Sequence, residues 1–242
     1  MRQQLFHCLS RRKQEHRMEI PQKYDPSEAL RQLKDADPKV RKAGAFWISH
    51  MCFCESNQWT EGWLRDQCTT DALLPLLDDE PDVANMAINA LWGITVKHRR
   101  DQRVYSSAIQ LLKSDRPNTR LVAGCVALAL SGEDCCDAVL ELLKDPSLRV
   151  RGQIVFHLKE SCGSWSPEAK ERVRASLLLA LHDRSAEVRG QAAWLLGTVV
   201  GREEDVSAIE NANRRSKANQ RMLDAAIHVL KERLSKSDRR IE

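Results

Sequence analysis

The sequence predicts an all-α solenoid of about six helical pairs, and three observations carry that prediction. A short motif returns five times: an acidic residue or Ser, a Pro or small polar stretch, then a β-branched residue that is followed in four copies by Arg and opens an apolar helix. It reads Asp35 to Val40-Arg41, Asp78 to Val83-Ala84, Ser114 to Thr119-Arg120, Asp145 to Val150-Arg151 and Asp183 to Val188-Arg189. The last position always falls six residues after the first, and successive copies are offset by 43, 36, 31 and 38 residues. That spacing belongs to stacked helical repeats rather than to one globular core. Finally, the apolar residues after each copy keep one phase of a 3.6-residue helix, as in Ala43, Gly44, Trp47, Ile48 and Met51 after Val40, or Met86, Ala87, Ala90, Leu91 and Ile94 after Val83.

Taken in order, the first helix covers Pro26 to Leu33, behind Asp25 as a favoured N-cap and with Pro at the first helical position. Its partner runs from Pro38 to about Cys54. The first helices of the next four pairs fall at Ala72 to Leu77, Val104 to Leu112, Ala138 to Leu143 and Val173 to Leu181, and a second helix follows each motif copy. A sixth pair, Asp205 to about Ala212 and Ala218 to Leu234, lacks the motif and is more charged. A polar last helix suits an end cap, which has a neighbour on one side only. Residues 55–70 lengthen the second repeat and bring in Trp59 and Trp63, expected as an added turn of helix on one edge. Residues 161–166 form a loop around Trp165, with Ser166-Pro167 starting the next helix. These three Trp residues either cover an edge of the core or extend a binding site. The expected organisation is a basic arm or capping helix over residues 1–17, the solenoid over 18–201, and a capping pair with a basic tail over 202–242.

Composition narrows the function. The 242 residues are 42% apolar and 30% charged, the balance of a soluble folded chain. No apolar run approaches the roughly 20 residues that span a bilayer, and the N-terminal stretch has no secretory h-region, so no membrane partner is expected and a cytoplasmic location is. The eight cysteines, Cys8, Cys52, Cys54, Cys68, Cys125, Cys135, Cys136 and Cys162, fit neither a disulfide framework nor a zinc ribbon and read as thiols serving as small apolar residues. Charge is uneven. Residues 1–17 carry net +4, residues 213–242 net +5, and the body between them net −5. A groove that grips a phosphate backbone needs several Lys or Arg along it, and here the positive excess sits at the two ends.

The recurring Asp and Val-Arg pair, with Pro or Ser at the start of each second helix, resembles the HEAT-repeat family in its short, phycobilisome-lyase-type form, over roughly residues 26–201. The resemblance implies a right-handed HEAT/armadillo-like superhelix whose second helices line the concave surface. It also implies a ladder of ion pairs from repeat to repeat, making Asp35, Arg41, Asp145, Arg151, Asp183 and Arg189 structural. Ala84 and Ser114 depart from the pattern, so a continuous ladder through the second and third repeats is not implied.

No catalytic residue is assigned. The chain has no G-x-S-x-G, P-loop, G-x-G-x-x-G or H-E-x-x-H. None of its seven histidines precedes Glu, unlike the His-Glu pairs that hold di-iron in the HEAT-repeat deoxyhypusine hydroxylases, so no metal and no cofactor are expected. His157, on a core stripe, reads as a hydrogen-bonded core histidine. Binding is the stronger reading. Counted from the motif Val or Thr, positions +9 and +2 point most directly outward and +6 lies on a flank. Trp92, Leu121 and Leu128 are core residue types at outward phase, and an exposed apolar patch with a Trp marks a contact site. The expected protein-binding surface is Trp92 as anchor, Leu121 and Leu128 around it, Asn85, Asn89 and Lys159 as polar contacts, and Phe46 and Trp194 on the flank. The expected partner is another protein. By analogy with small bacterial HEAT-like proteins, one form of this is an inhibitor or immunity protein that occludes a toxin. The alternative is nucleic acid, as in the HEAT-like DNA alkylpurine glycosylases. Outward Trp92 suits that alternative, whereas the scarcity of basic residues at +2 and +9, only Lys42 and Lys159, does not. A chromophore lyase or isomerase has no supporting residue set, and the basic turns His98-Arg99-Arg100 and Arg214-Arg215 with Lys217 read as solvated helix ends.

Overall fold

A computed structural model describes residues 26–53, 67–97, 101–214 and 220–238. The N-terminal arm 1–17, Trp59 and Trp63, and the basic turns at His98–Arg100 and Arg215–Lys217 lie outside the described residues. Within them, helices pair in sequence: α1 (Pro26–Gln32) with α2 (Pro38–Phe53), α3 (Gln67–Leu73) with α4 (Pro81–Lys97), and α5 (Gln102–Leu111) with α6 (Pro117–Ser131). Next come α7 (Cys136–Leu140) with α8 (Leu148–Ser161), α9 (Pro167–Ala180) with α10 (Ala186–Leu195), and α11 (Asp205–Arg214) with α12 (Gln220–Asp238). Each second helix packs on the second helix of the next pair, and more closely than the first helices pack on one another. The stack therefore curves toward its second helices, which form the inner surface.

Local chemistry sets the helix starts. Pro117 and Pro167 occupy first-turn positions of α6 and α9, where the missing N–H costs no helical bond. Ser166 Oγ accepts from Ala169 N at 3.2 Å, and Asp101 Oδ1 accepts from Arg103 N at 2.9 Å, two N-caps that satisfy otherwise orphaned amides. The fourth pair departs from the expected single first helix at Ala138 to Leu143: a 3-10 turn over Gly132–Cys135, the short α7, and a second 3-10 turn over Glu141–Lys144 replace it. This repeat has the shortest offset, 31 residues, and tighter winding brings the chain to α8 on schedule. Gly132, at φ 58°, makes the left-handed turn out of α6 that a side chain would oppose. Cys52, Cys125, Cys135, Cys136 and Cys162 are buried thiols, with Cys68 exposed. Burial pushes the Cys135 and Cys162 thiols up to about 11, so neither is a thiolate at neutral pH. Trp165 is buried in the main hydrophobic cluster, which settles it as core cover.

Between repeats, Arg side chains bridge to the next loop. Arg151 donates through Nε and Nη2 to Asp183 Oδ2 and Oδ1 at 2.7 and 3.0 Å, while its Nη1 holds Asp145 O of its own loop at 2.7 Å. Arg120 does the same to Asp145, at 2.6 and 2.8 Å, and to Ser114 O. Arg41 grips Asp79, at 2.6 and 2.7 Å, and Asp35 O. The carboxylate of the second repeat is thus Asp79, one residue after the Asp78 that the motif alignment puts first. The ladder acids also shape their turns: Asp145 and Asp183 accept from the N–H two residues on, at 2.8 and 2.7 Å. Burial works to raise both carboxyls, but the Arg and turn N–H bonds outweigh it and leave them below the usual carboxylate range.

The ladder is interrupted after Asp79, where Ala84 replaces Arg. There the second and third repeats are joined by Arg116, which reaches Asp82, by Arg103 of α5, which reaches Asp71 of α3 at 2.8 Å, and by Asn118 Nδ2, which donates to Asn85 Oδ1 at 2.6 Å. At the C-terminal end Arg189 keeps its bond to Asp183 O, at 2.7 Å, but its buried Nε has no acceptor among the described residues. The sixth pair is held differently. Arg174 of α9 forms a bidentate pair with Asp205, at 2.7 and 2.6 Å, and α12 lies so close to the π-helical turn Leu196–Val200 after α10 that a Cβ on Gly197 would sit 2.5 Å from Ala226 O.

Candidate inner-surface binding site

The inner surface is built from the same register on successive second helices, and its exposure differs from the phase-based expectation. On α4, Asn85, Asn89 and Trp92 are all half-buried. On α6 the equivalent positions are Leu121, Cys125 and Leu128, only 7%, 5% and 5% exposed. Leu121 and Leu128 therefore do not form an exposed apolar surround. They belong to the core cluster that runs through the C-terminal repeats. On α8 and α10, Phe156, Lys159 and Trp194 are half-buried, whereas Gly152, Gly190 and Gly197 are buried. Position +6 stays half-open in every repeat but the third, through Phe46, Asn89, Phe156 and Trp194, as does +3 beside it, through Ala43, Met86, Gln153 and Gln191. The outward direction is rotated from +9 toward +6.

The burial of α6 has an identifiable cause. The Trp92 ring meets the His157 ring edge-to-face at a centroid distance of 6.0 Å and an interplanar angle of 85°. These residues sit on α4 and α8, two repeats apart, so the contact passes over α6. Phe156 adds a second edge-to-face contact to His157 at 5.6 Å. Trp92 also packs against both hydrophobic clusters of the molecule. His157 is held by rings and, among the described residues, makes no hydrogen bond, contrary to the reading of it as a hydrogen-bonded core histidine. Burial drops its pKa to about 4, so the imidazole is neutral at physiological pH.

On either side of this bridge the surface is polar and aromatic. On the N-terminal side Asn89 Nδ2 donates to Asn85 O, Phe46 stacks on His50 at 6.0 Å, and Lys42 reaches Asp82 at 2.7 Å. On the C-terminal side Lys159 Nζ lies 5.8 Å from the centre of the Trp194 ring, a cation–π geometry. Both Lys side chains at outward positions are thus engaged within the chain. Among the described residues no cluster of three His, Cys, Asp or Glu is arranged to hold a metal ion, and no helix is long and apolar enough to cross a membrane. The Arg174–Asp205 pair was missed by sequence reasoning because Arg174 lies on a first helix, outside the motif.

No family model matches the chain, and no curated protein matches it. Solved structures do. A designed armadillo repeat protein in complex with the peptide (KR)4 superposes with a TM-score of 0.60 at 18% identity, covering 86% of this chain and all of that one. An engineered protein superposes at 0.61, with 18% identity and 87% and 100% coverage. The Escherichia coli protein YibA superposes at 0.57, with 17% identity, covering 85% of this chain and 81% of its own. The chain has the armadillo/HEAT-like helical repeat fold.

Proposed function

We propose that the chain is a non-enzymatic protein-binding scaffold whose partner lies on the inner surface of the solenoid. The observation that carries this reading is the row of half-exposed aromatic and amide side chains, Phe46, Asn89, Phe156 and Trp194, at one register of four second helices. A few hot-spot residues, Trp prominent among them, carry most of the energy at protein interfaces, and a curved repeat surface offers such side chains in a fixed array. A peptide complex of a designed protein with this fold supports the same use of it. Asn85, Lys159 and the open side of Trp92 complete the surface. Leu121 and Leu128 lie beneath it. The second helices α2 to α10 carry the surface, and the pair α11 and α12 caps it. An inhibitor or immunity role, in which a braced surface occludes a toxin, is the specific form of this proposal, and the buried thiols without disulfides favour the cytoplasm.

A photo-crosslinking residue at Asn89 or Trp194, with a control at Leu179 on the outer helix α9, tests it in the native cell. Discrete protein adducts from the two inner positions and none from Leu179 are expected. Adducts only from Leu179 would remove the inner surface as the site. Nucleic acid is checked in parallel by gel shift against duplex DNA at two salt concentrations, where a steep salt dependence would favour it.

A further inference from the structure

We propose that the Trp92–His157 contact is a clasp that bridges the second and fourth repeats and keeps the inner face of the third repeat, with Leu121, Cys125 and Leu128, sealed until it opens. In a solenoid each repeat touches only its neighbours, so a ring contact at 6.0 Å between α4 and α8 is a departure from the architecture. It ties together two elements that the stack itself does not join.

Three further observations place the clasp over a hinge. The residues at one register are half-exposed on α4 and α8 but buried on α6 between them, so the cover comes from the flanking helices closing inward. The hydrophobic core divides at this helix: Val122 and Val126 belong to the N-terminal cluster, and Leu121, Cys125 and Leu128 to the C-terminal one. Trp92 is packed against both. The ladder is also missing at this junction. Ala84 offers no guanidinium, and the ion pairs that replace it, Arg116–Asp82 and Arg103–Asp71, have side chains 45–65% exposed. Exposed pairs contribute little, whereas the Arg120–Asp145 and Arg151–Asp183 rungs beyond them are buried. The second and third repeats are therefore joined by the weakest polar link in the series, with an aromatic bridge across it. Opening the clasp swings the N-terminal repeats about this junction and exposes an apolar strip along α6.

Cys125 lies on that strip and reports its state. Alkylation of the full chain, followed by mass spectrometry at each cysteine and normalised to the unfolded protein, compares Cys125 with Cys136 and Cys162, which are buried elsewhere. In the wild-type protein under urea below the unfolding midpoint, Cys125 is expected to react before Cys136 and Cys162. Reaction of all three in concert would mean that only global unfolding exposes it, and would overturn the proposal. Trp92→Ala is expected to speed Cys125 by about tenfold in native buffer, the scale of one aromatic pair, with Cys136 and Cys162 unchanged. Trp92→Phe, which keeps a ring, should restore most of the protection. An unchanged Cys125 rate in Trp92→Ala also overturns the clasp. Should that variant fail to fold, His157→Ala removes the other half of the contact and is read in the same way.

Discussion

The junction between the second and third repeats and the junctions on either side of the fourth repeat use the same fold and different chemistry. Around the fourth repeat, Arg120 and Arg151 each hold a buried carboxylate bidentately and their own loop carbonyl at the same time. Between the second and third, one substitution at the Arg position, Ala84, leaves the join to exposed ions, an Asn–Asn hydrogen bond and the Trp92–His157 rings. The lesson is that stacking of apolar faces is sufficient to continue the solenoid, and that the ladder decides how stiffly each junction is held.

Mutations break or sharpen this contrast. The largest effect is expected at the buried rungs: Arg151→Ala leaves Asp183 without its partner and should cost about 3–5 kcal/mol in urea unfolding. Arg116→Ala at the interrupted junction should cost less than about 1 kcal/mol. Equal losses would erase the distinction. Next is the core of the third repeat, where Leu128→Ala should cost about 2–5 kcal/mol as a buried deletion, whereas Asn89→Ala on the half-open surface should stay within about 1 kcal/mol.

The pH dependence follows in size. His157 has its pKa lowered to about 4 from an ordinary 6.5, so folding favours the neutral ring. The stability is complete above pH 6.5 and declines as pH falls toward 4, by at most about 3 kcal/mol. Melting curves at pH 7 and 5 should show the decline, and His157→Phe should remove much of it. The ladder carboxylates are shifted down, so their contribution is complete above their unfolded pKa and is lost only at more acid pH. The smallest effect belongs to Arg189→Gln, expected within about 1 kcal/mol because no carboxylate meets that guanidinium among the described residues.

Much of the fold was legible because its signals are local. The β-branched residue of each motif, the Arg after it in four copies, the caps and the apolar phase recur within one helix, and the helices fall close to where that phase puts them. The surface was legible only in part. Asn85, Asn89, Lys159, Phe46 and Trp194 are half-open, as their phase suggests, whereas Leu121 and Leu128 have outward phase and are buried. Phase gives a direction on a helix, and burial depends on what arrives from that direction. Asp79 was missed for a similar reason. Alignment by offset chose Asp78, but the guanidinium of Arg41 selects the carboxylate that the loop turns toward it.

The sequence by itself determined the repeat, the pairing of helices and the inward-facing stripe, since a 3.6-residue period acts within a few turns of one helix. Only the tertiary structure decided that Trp92 meets His157 two repeats away, and that the inner face of α6 is closed as a result. The curvature that brings those rings together accumulates over several junctions, and no single stretch of residues encodes it.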